Sequence, residues 1–370
     1  MPKDTPPAPD TLKVAALAIA KNEGPWLLEW AAHCKAVGFD TIVLGTNDCD
    51  DGTDALANRM QEMGILTHFD NAPPYYRFNS FNVPSLQLTA YHRMQSMKEI
   101  VDCDWVMPLD LDEFLVVHVG EGSVKELCAK HHLVHSIMMR WRMFGDNGCG
   151  GVIDAPITDK LTRCAMKGDH RNENVKMLIR EHQDVDIDMH ISVRRPLPLK
   201  ASFWQRVVRR ARGMQAKAII SLDGKYYWLK RAYGNKKYLE HFKDIGRDYV
   251  DAQVNHYAIR TKDLLRLKSC RGDAYYTHTN RFQEDYYDTF NRNEEEDFSI
   301  QRYKPGRDAI LTKWLSDDQL RALYEASVQT TRLKMEKMDA AGITLEPVSK
   351  KNKRLGLFQK ARLRRENRKV

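Results

Sequence analysis

The first apolar run of the chain, LKVAALAIA, is continuous and of strand length, as expected of a buried strand. In GPWLLEWAAHCKAVGF the apolar positions Trp26, Leu27, Trp30, Ala31 and Cys34 recur three and four apart, which predicts a helix. DTIVLGTN reads as a second strand, TDALANRMQEMG as a second helix and ILTHFD as a third strand. After a loop containing NAPPYYRFNSFN, residues 85–101 have helical spacing, and DWVMPLD forms a fourth strand. Strand alternating with helix predicts a parallel sheet with right-handed crossovers. Pro108 has no N–H to give to a ladder, so regular pairing is expected to end there.

Farther on, MMRWRMFGDNGCGG sets Asp146 beside Asn147 and Gly148, as in an ordinary turn. NVKMLIR and DVDIDMHIS place Lys176 and His190 in strand-like segments, and Asp184, Asp186 and Asp188 alternate with apolar residues as on a half-exposed strand. VNHYAIRTKDLLRLKSCRG carries His256 and then Lys268 and Arg271 on a helix. Beyond residue 300 an apolar stripe on polar helices predicts a segment that covers the sheet or pairs with another subunit. The expected organisation is a disordered lead over 1–11, a main α/β domain over 12–300, a helical extension over 301–348 and a basic tail over 349–370.

Composition narrows the class. An apolar content of 42% over 370 residues supplies a packed core and excludes wholesale disorder. No apolar run approaches the roughly 20 residues of a bilayer span, and VAALAIA lacks the flanks of a signal peptide. Seven cysteines without a Cys-x-x-Cys pair point to reduced thiols and a cytoplasmic chain. The net charge of +8 is local: residues 350–370 carry +9, leaving −1 for the rest. Nucleic-acid binding is therefore not expected. Leu355, Leu357, Phe358 and Leu363 in that tail suit a basic amphipathic helix on an anionic membrane surface, with the protein peripheral on its inner face. A solvated tail explains the same composition, and a second basic cluster at 206–217 could extend the surface.

The chemistry concentrates in WVMPLDLDEFLVV, where Asp110, Asp112 and Glu113 interrupt an apolar run. Adjacent carboxylates repel and burial disfavours their charge, so something positive, or water, must offset them. Ligands in open α/β sheets bind beyond the carboxyl ends of the strands. KNEG, NDCDDGTD and DLDE all fall at such ends. If the backbone there is extended, Asp110 and Asp112 share one face while Leu111 turns inward. Two hard oxygen ligands suit Mg²⁺ or Mn²⁺ together with phosphate oxygens. A pair of aspartates in a solvated turn is the plain alternative.

Lys21-Asn22-Glu23, the run WLLEWAAHCKAVGFDTIVLGTNDCDDGT and WVMPLDLDEF together resemble nucleotide-sugar glycosyltransferases of the GT-A fold, in the family 2 and family 92-like group with an Asp-x-Asp-Glu-Phe motif. The resemblance is specific over roughly residues 12–150 and looser to about 275. It implies a GT-A (Rossmann-like) α/β fold, a mostly parallel sheet flanked by helices with a C-terminal helical segment. It implies inverting hexosyl transfer from a nucleoside diphosphate sugar, a UDP-sugar foremost, to a glycan or lipid-linked acceptor, as in polysaccharide assembly. Asn22, Glu23, Asn47, Asp48 and Asp51 then become nucleotide-site candidates, although each could instead cap a helix. Asp110 and Asp112 become ligands of Mn²⁺ or Mg²⁺, with His256 and His190 as further ligands. Lys176, Lys268 and Arg271 face the donor, and Asp146 is the candidate base beside its reading as a turn former.

Two rivals start from the same residues. A haloacid-dehalogenase-like phosphatase also sets Asp-x-Asp at a strand end, but on its first strand and with Thr or Val where this chain has Phe114. A non-catalytic polyanion- or lipid-binding protein would depend on the basic tail instead.

Overall fold

The computed structural model describes residues 5–72, 77–78, 84–153, 156–180, 182, 185–188, 193–194, 218–222, 225–229, 248–271 and 281–346. Strand β1 (Val14–Ala20), helix α1 (Gly24–Val37), β2 (Thr41–Thr46), α2 (Thr53–Glu62) and β3 (Thr67–Asp70) follow the expected alternation. After them come α3 (Leu86–Met94), β4 (Trp105–Pro108), β5 (Glu113–Val117), α4 (Val124–Lys130) and β6 (Ser136–Met143). Strands β7 (Val175–Arg180), β8 (Ala218–Leu222), β9 (Lys225–Leu229) and β10 (Ala252–His256) complete the main sheet. The helices α5 (Lys262–Arg271), α6 (Glu284–Phe290), α7 (Lys304–Trp314) and α8 (Asp318–Ala340) follow.

The sheet runs β9-β8-β6-β7-β4-β1-β2-β3, with β10 paired to both β6 and β5. The half β4-β1-β2-β3 is parallel throughout, as the alternation of strand and helix requires. Strand β7 is antiparallel to both of its neighbours, β4 and β6. That reversal makes β6 run the same way as β4, and β10 is parallel to β6. One edge of the sheet therefore collects the carboxyl ends of β1, β2, β4, β6 and β10 with the start of β7. The α/β class expected from the sequence, with flanking helices and a C-terminal helical segment, is what the chain adopts.

Helix α1 shows why the sequence reads as it does. Pro25 begins it, where a missing N–H costs nothing, and Gly38 ends it at φ 104°, a left-handed value that glycine adopts without strain. Nearly all of the helix is buried, so its apolar face is broader than a surface helix would show. The sheet lies on one side of it, and α7 and α8 cover the other. The C-terminal stripe thus covers the sheet domain. Arg59 on α2 grips Asp317 at 2.6 Å, at the start of α8. No helix among the described residues is long and apolar enough to cross a membrane.

Several expectations change. The helix expected over 85–101 breaks at residues 95–97 into α3 and a short turn, Lys98–Val101. The lead expected to be disordered through residue 11 forms a 3-10 turn at Pro9–Thr11, braced by Thr11 Oγ1 donating to the Ala8 carbonyl and by burial of Leu12. Regular pairing does end at Pro108, but the backbone beyond it is not extended. Glu113 N–H donates to the Asp110 carbonyl at 2.9 Å, closing a tight turn that reverses the chain from β4 into β5.

Gly24 tests the packing of α8. A Cβ there would run into Ser327 Oγ. We expect Gly24→Ala to cost about 1–3 kcal/mol of stability, as overpacking does. Adding Ser327→Gly should recover much of the loss, and denaturant midpoints of the single and double variants measure it.

Candidate active site

A cavity of about 410 Å³ opens along the sheet edge described above. Its lining includes Lys21, Glu23 and Asn47 from the ends of β1 and β2, and Asp110 and Asp112 from the turn after β4. Trp141 and His256 come from β6 and β10, and Lys268 and Arg271 from α5. Strand polarity alone delivers these groups to one edge.

The turn at 110–113 concentrates negative charge, and two lysines from distant segments neutralise it. Lys176, fully buried on β7, lies 2.9 Å from Asp110 Oδ2 and 2.8 Å from Glu113 Oε2. Gln87 donates to the other Asp110 oxygen at 2.9 Å. Lys268 Nζ sits 2.5 Å from Asp112 Oδ2. The two aspartates therefore do not share one lysine. The turn aims them at different partners, and each acquires its own lysine. Leu111 is buried, as expected.

The local fields differ sharply along this turn. Burial opposes charge on Asp112, but Lys268, His256 and Arg260 override it and hold the carboxyl well below its usual range. Burial, reinforced by Asp110 and Asp112 against the pull of Lys176, pushes Glu113 up to about 8. One ammonium between two carboxylates satisfies Asp110 as an ion pair and leaves Glu113 favouring its neutral form. Burial lowers His256 against the pull of Asp112, which favours the neutral imidazole, the form that binds metals.

His256 Nε2 faces Asp112 Oδ1 across 3.6 Å, and its Nδ1 is buried without a hydrogen bond. Two ligands at right angles on one octahedral Mg²⁺-sized ion stand about 3 Å apart, so this pair has nearly the required spacing. Among the described residues no group of three His, Cys, Asp or Glu side chains gathers to hold a metal. A cation at this place would take its remaining ligands from water and substrate oxygens, which is common for Mg²⁺.

The nucleotide candidates separate. Asn47 lines the cavity with 5% of its surface exposed, and neither its amide nitrogen nor its amide oxygen has a hydrogen-bond partner. A buried amide left so costs about 1–3 kcal/mol per unsatisfied group. Glu23 is buried between Arg260 at 2.6 Å and Arg271 at 2.5 Å. Burial raises its pKa, yet Arg260, Arg271 and Lys268 outweigh that and keep it below the usual range. Asp51 accepts from Gly24 N–H with one oxygen and from the Thr53 N–H and hydroxyl with the other, so it ties the starts of α1 and α2 together. Asn22 accepts from Asp50 N–H, and exposed Asp48 lies 3.8 Å from Lys21. Asn22, Asp48 and Asp51 do not line this cavity.

Asp146 also lies outside the lining. Its Oδ2 accepts from the Tyr287 hydroxyl at 2.6 Å and its Oδ1 from Gly148 N–H at 2.9 Å, the pattern of a turn former. Lys176 is beneath the cavity rather than on its wall. His190, the basic cluster at 206–217 and the tail at 350–370 lie outside the described residues.

Sequence reasoning missed Gln87, Arg260 and the aromatic wall. Arg260 stacks its guanidinium 4.0 Å over Trp26 and reaches the Leu111 carbonyl, contacts between segments that no local pattern announces. Tyr286 and Phe290 were visible as an aromatic pair four apart, the spacing of one helix face.

Comparison with protein families finds no match, and comparison with curated proteins finds none. Among solved structures, Staphylococcus aureus TarS 1-349 aligns at 12% identity and TM-score 0.30, over 90% of this chain and 92% of that one. Against a longer TarS structure the values are 13% and 0.28, and 46% of this chain spans only 29% of that one. The glycosyltransferase GlyE of Streptococcus pneumoniae TIGR4 aligns at 14% and 0.27, over 83% of this chain and 64% of that one. LgtC, a galactosyltransferase in complex with donor and acceptor sugar analogues, gives 14% and 0.26, with coverage of 80% and 95%. At these scores the likeness carries no argument about chemistry, which rests on the side chains themselves.

The shared lysine gives a stability test. Lys176→Met leaves buried Glu113 and partly exposed Asp110 without their shared cation and should cost about 3 kcal/mol. Glu113→Gln in the same background should return part of that loss, read from the denaturant midpoint.

Proposed function

We propose that the chain is a GT-A-type glycosyltransferase that moves a sugar from a nucleoside diphosphate sugar to a glycan acceptor with the help of Mn²⁺ or Mg²⁺. One observation carries the reading. Asn47, buried and unsatisfied at both amide atoms, lines the same cavity as Asp112, which faces His256 across 3.6 Å, with Lys268 and Arg271 alongside. A polar ring with donor and acceptor on one edge would satisfy Asn47, as the base of a UDP-sugar does. The groups around Asp112 suit a diphosphate.

In this reading Asp112 and His256 hold the divalent ion. When bound, the ion neutralises charge that develops on the departing diphosphate. Lys268 and Arg271 bind the same phosphates. Each is now paired with a carboxylate, Lys268 with Asp112 and Arg271 with Glu23. Exchange of Lys268 from Asp112 to phosphate frees an oxygen of Asp112 as the donor enters, so donor and cation should bind cooperatively. Asp110, set by Lys176 and Gln87, presents a fixed carboxylate beside them. The motif resemblance brings inversion at the anomeric carbon into the proposal. Asp146, with both oxygens engaged, we assign to the turn rather than to the base.

Titration calorimetry with UDP, GDP and their sugars, with and without Mn²⁺, tests the proposal. A uridine nucleotide should bind with Mn²⁺ present, and Asp112→Asn should reduce turnover at least about 100-fold. Asn47→Leu should weaken nucleotide binding about tenfold or more, the effect of losing the buried amide's bonds. Absence of metal-dependent binding by any nucleotide sugar overturns the reading. Separately, Asp146→Asn should keep turnover within about tenfold, because proton abstraction by a general base is worth about 10²–10⁴-fold.

A further inference from the structure

A second cavity, of about 370 Å³, lies between α5, α8 and the loop after β1. Small-molecule sites are about 300–1,000 Å³, so it is large enough to hold a ligand. Glu23, Lys268 and Arg271 line both cavities, whereas neither Asn47 nor the aspartates of the 110–113 turn line this one.

Helices α5 and α8 run antiparallel along it. Arg266 of α5 pairs with Asp339 of α8, and farther along α5 Arg271 donates to the Lys21 and Asn22 carbonyls. The Asn22 side chain accepts from Asp50 N–H, and the Asp50 carboxylate meets Lys334, which precedes Asp339 on α8. The cavity therefore has two unlike ends. Leu264, Met338 and Ile343 make the end near the Arg266 pair apolar, and Leu267 and Trp26 continue that surface. Arg271 and Lys334 stand at the opposite end, with Lys337 one helical turn from Lys334.

The acids of the lining are already engaged. Arg260 and Arg271 share the single carboxylate of Glu23, and Asp50 is held by Lys334. Asp51 accepts from Gly24 N–H and from the Thr53 N–H and hydroxyl. Exposed Lys337 has no ion pair among the described residues. Thr331, 5% exposed on the same wall, has no side-chain hydrogen bond among them. A cationic ligand would meet only occupied carboxylates, and a wholly polar one would leave the apolar end in water.

We propose that this cavity binds an amphiphilic anion, an aliphatic chain ending in a phosphate or a carboxylate. The head lies beside Lys334 and Lys337, with Thr331 as a further donor, and the chain runs over Leu267 to Met338 and Ile343. This site needs nothing from the donor reading, because Lys337, Met338 and Ile343 lie outside the sheet-edge cavity.

Titration calorimetry on the full chain, below micellar concentrations, compares octyl phosphate, octanoate, butyl phosphate, butanoate and octyltrimethylammonium. Octyl phosphate or octanoate should bind, and the tighter of the two identifies the head. It should bind about tenfold or more tighter than octyltrimethylammonium, whose charge the lysines repel. It should also exceed the butyl anion with the same head about tenfold or more, since each methylene removed from water adds about threefold. Lys337→Glu and Ile343→Asp change exposed positions, and each should weaken binding about tenfold. Lys337→Arg, Ile343→Leu and Asn47→Leu should each leave it within about threefold, because the charge, the apolar end and this lining are kept. Failure of both octyl anions to bind overturns the site. Equal binding of the octyl cation, equal binding of the butyl anions, or binding that survives Lys337→Glu and Ile343→Asp overturns it as well.

Discussion

Three carboxylates held within one tight turn at the buried end of a strand repel one another, and the architecture around this site exists under that constraint. Glu113, with no exposed surface, meets that constraint by favouring its neutral form, and Asp110 and Asp112 draw positive charge to the turn. Lys176 arrives from β7 and Lys268 from α5, one below the turn and one on the cavity wall. The two lysines differ in what they can do. Lys176 has no exposed surface and lies between Asp110 and Glu113, whereas Lys268 lines the cavity beside Asp112. One supports Asp110 from beneath, and the other is a counter-ion for Asp112 on the cavity wall.

Two topological choices make this compensation available. Reversed β7 lies between β4 and β6 and brings its first residues, Val175 and Lys176, to the edge where β4 ends. Strand β10 pairs with β5 in antiparallel register, His256 opposite Glu113, which fixes the imidazole beside the turn. Around them the loops at the ends of β1 and β2 are braced from behind. Asp51 joins the starts of α1 and α2, Arg260 and Arg271 clamp Glu23, and Asp50 meets Lys334 of α8 at 2.5 Å. Helices α7 and α8 contribute no side chain to the cavity lining, and α8 braces these loops from outside through Lys334 and Asp317.

A cavity built this way sets a buried amide beside a charged centre. That order suits transfer of a group from a nucleotide, with the leaving charge developing where the cations are. A groove that only bound a polyanion would have no use for an unsatisfied buried Asn47. The proposal of glycosyl transfer rests on this juxtaposition along one edge.

Much of this was legible in the residues alone. Apolar runs of strand length and the 3.6-residue spacing of α1 and α2 determined the parallel half of the sheet, because those periodicities reflect burial on one element. Pro108 marked the end of β4, and DLDE marked the site, since acids inside an apolar run demand a partner. The direction of the carboxylates was decided only in three dimensions. The hydrogen bond from Glu113 N–H to the Asp110 carbonyl closes a turn where an extended strand was expected, and turns are stabilised by what surrounds them as much as by their own residues. The ion pairs of Lys176 and Lys268, the stacking of Arg260 on Trp26 and the hydrogen bond from Tyr287 to Asp146 join segments far apart in the chain. No local period encodes such contacts, because only the packed sheet edge sets their distances.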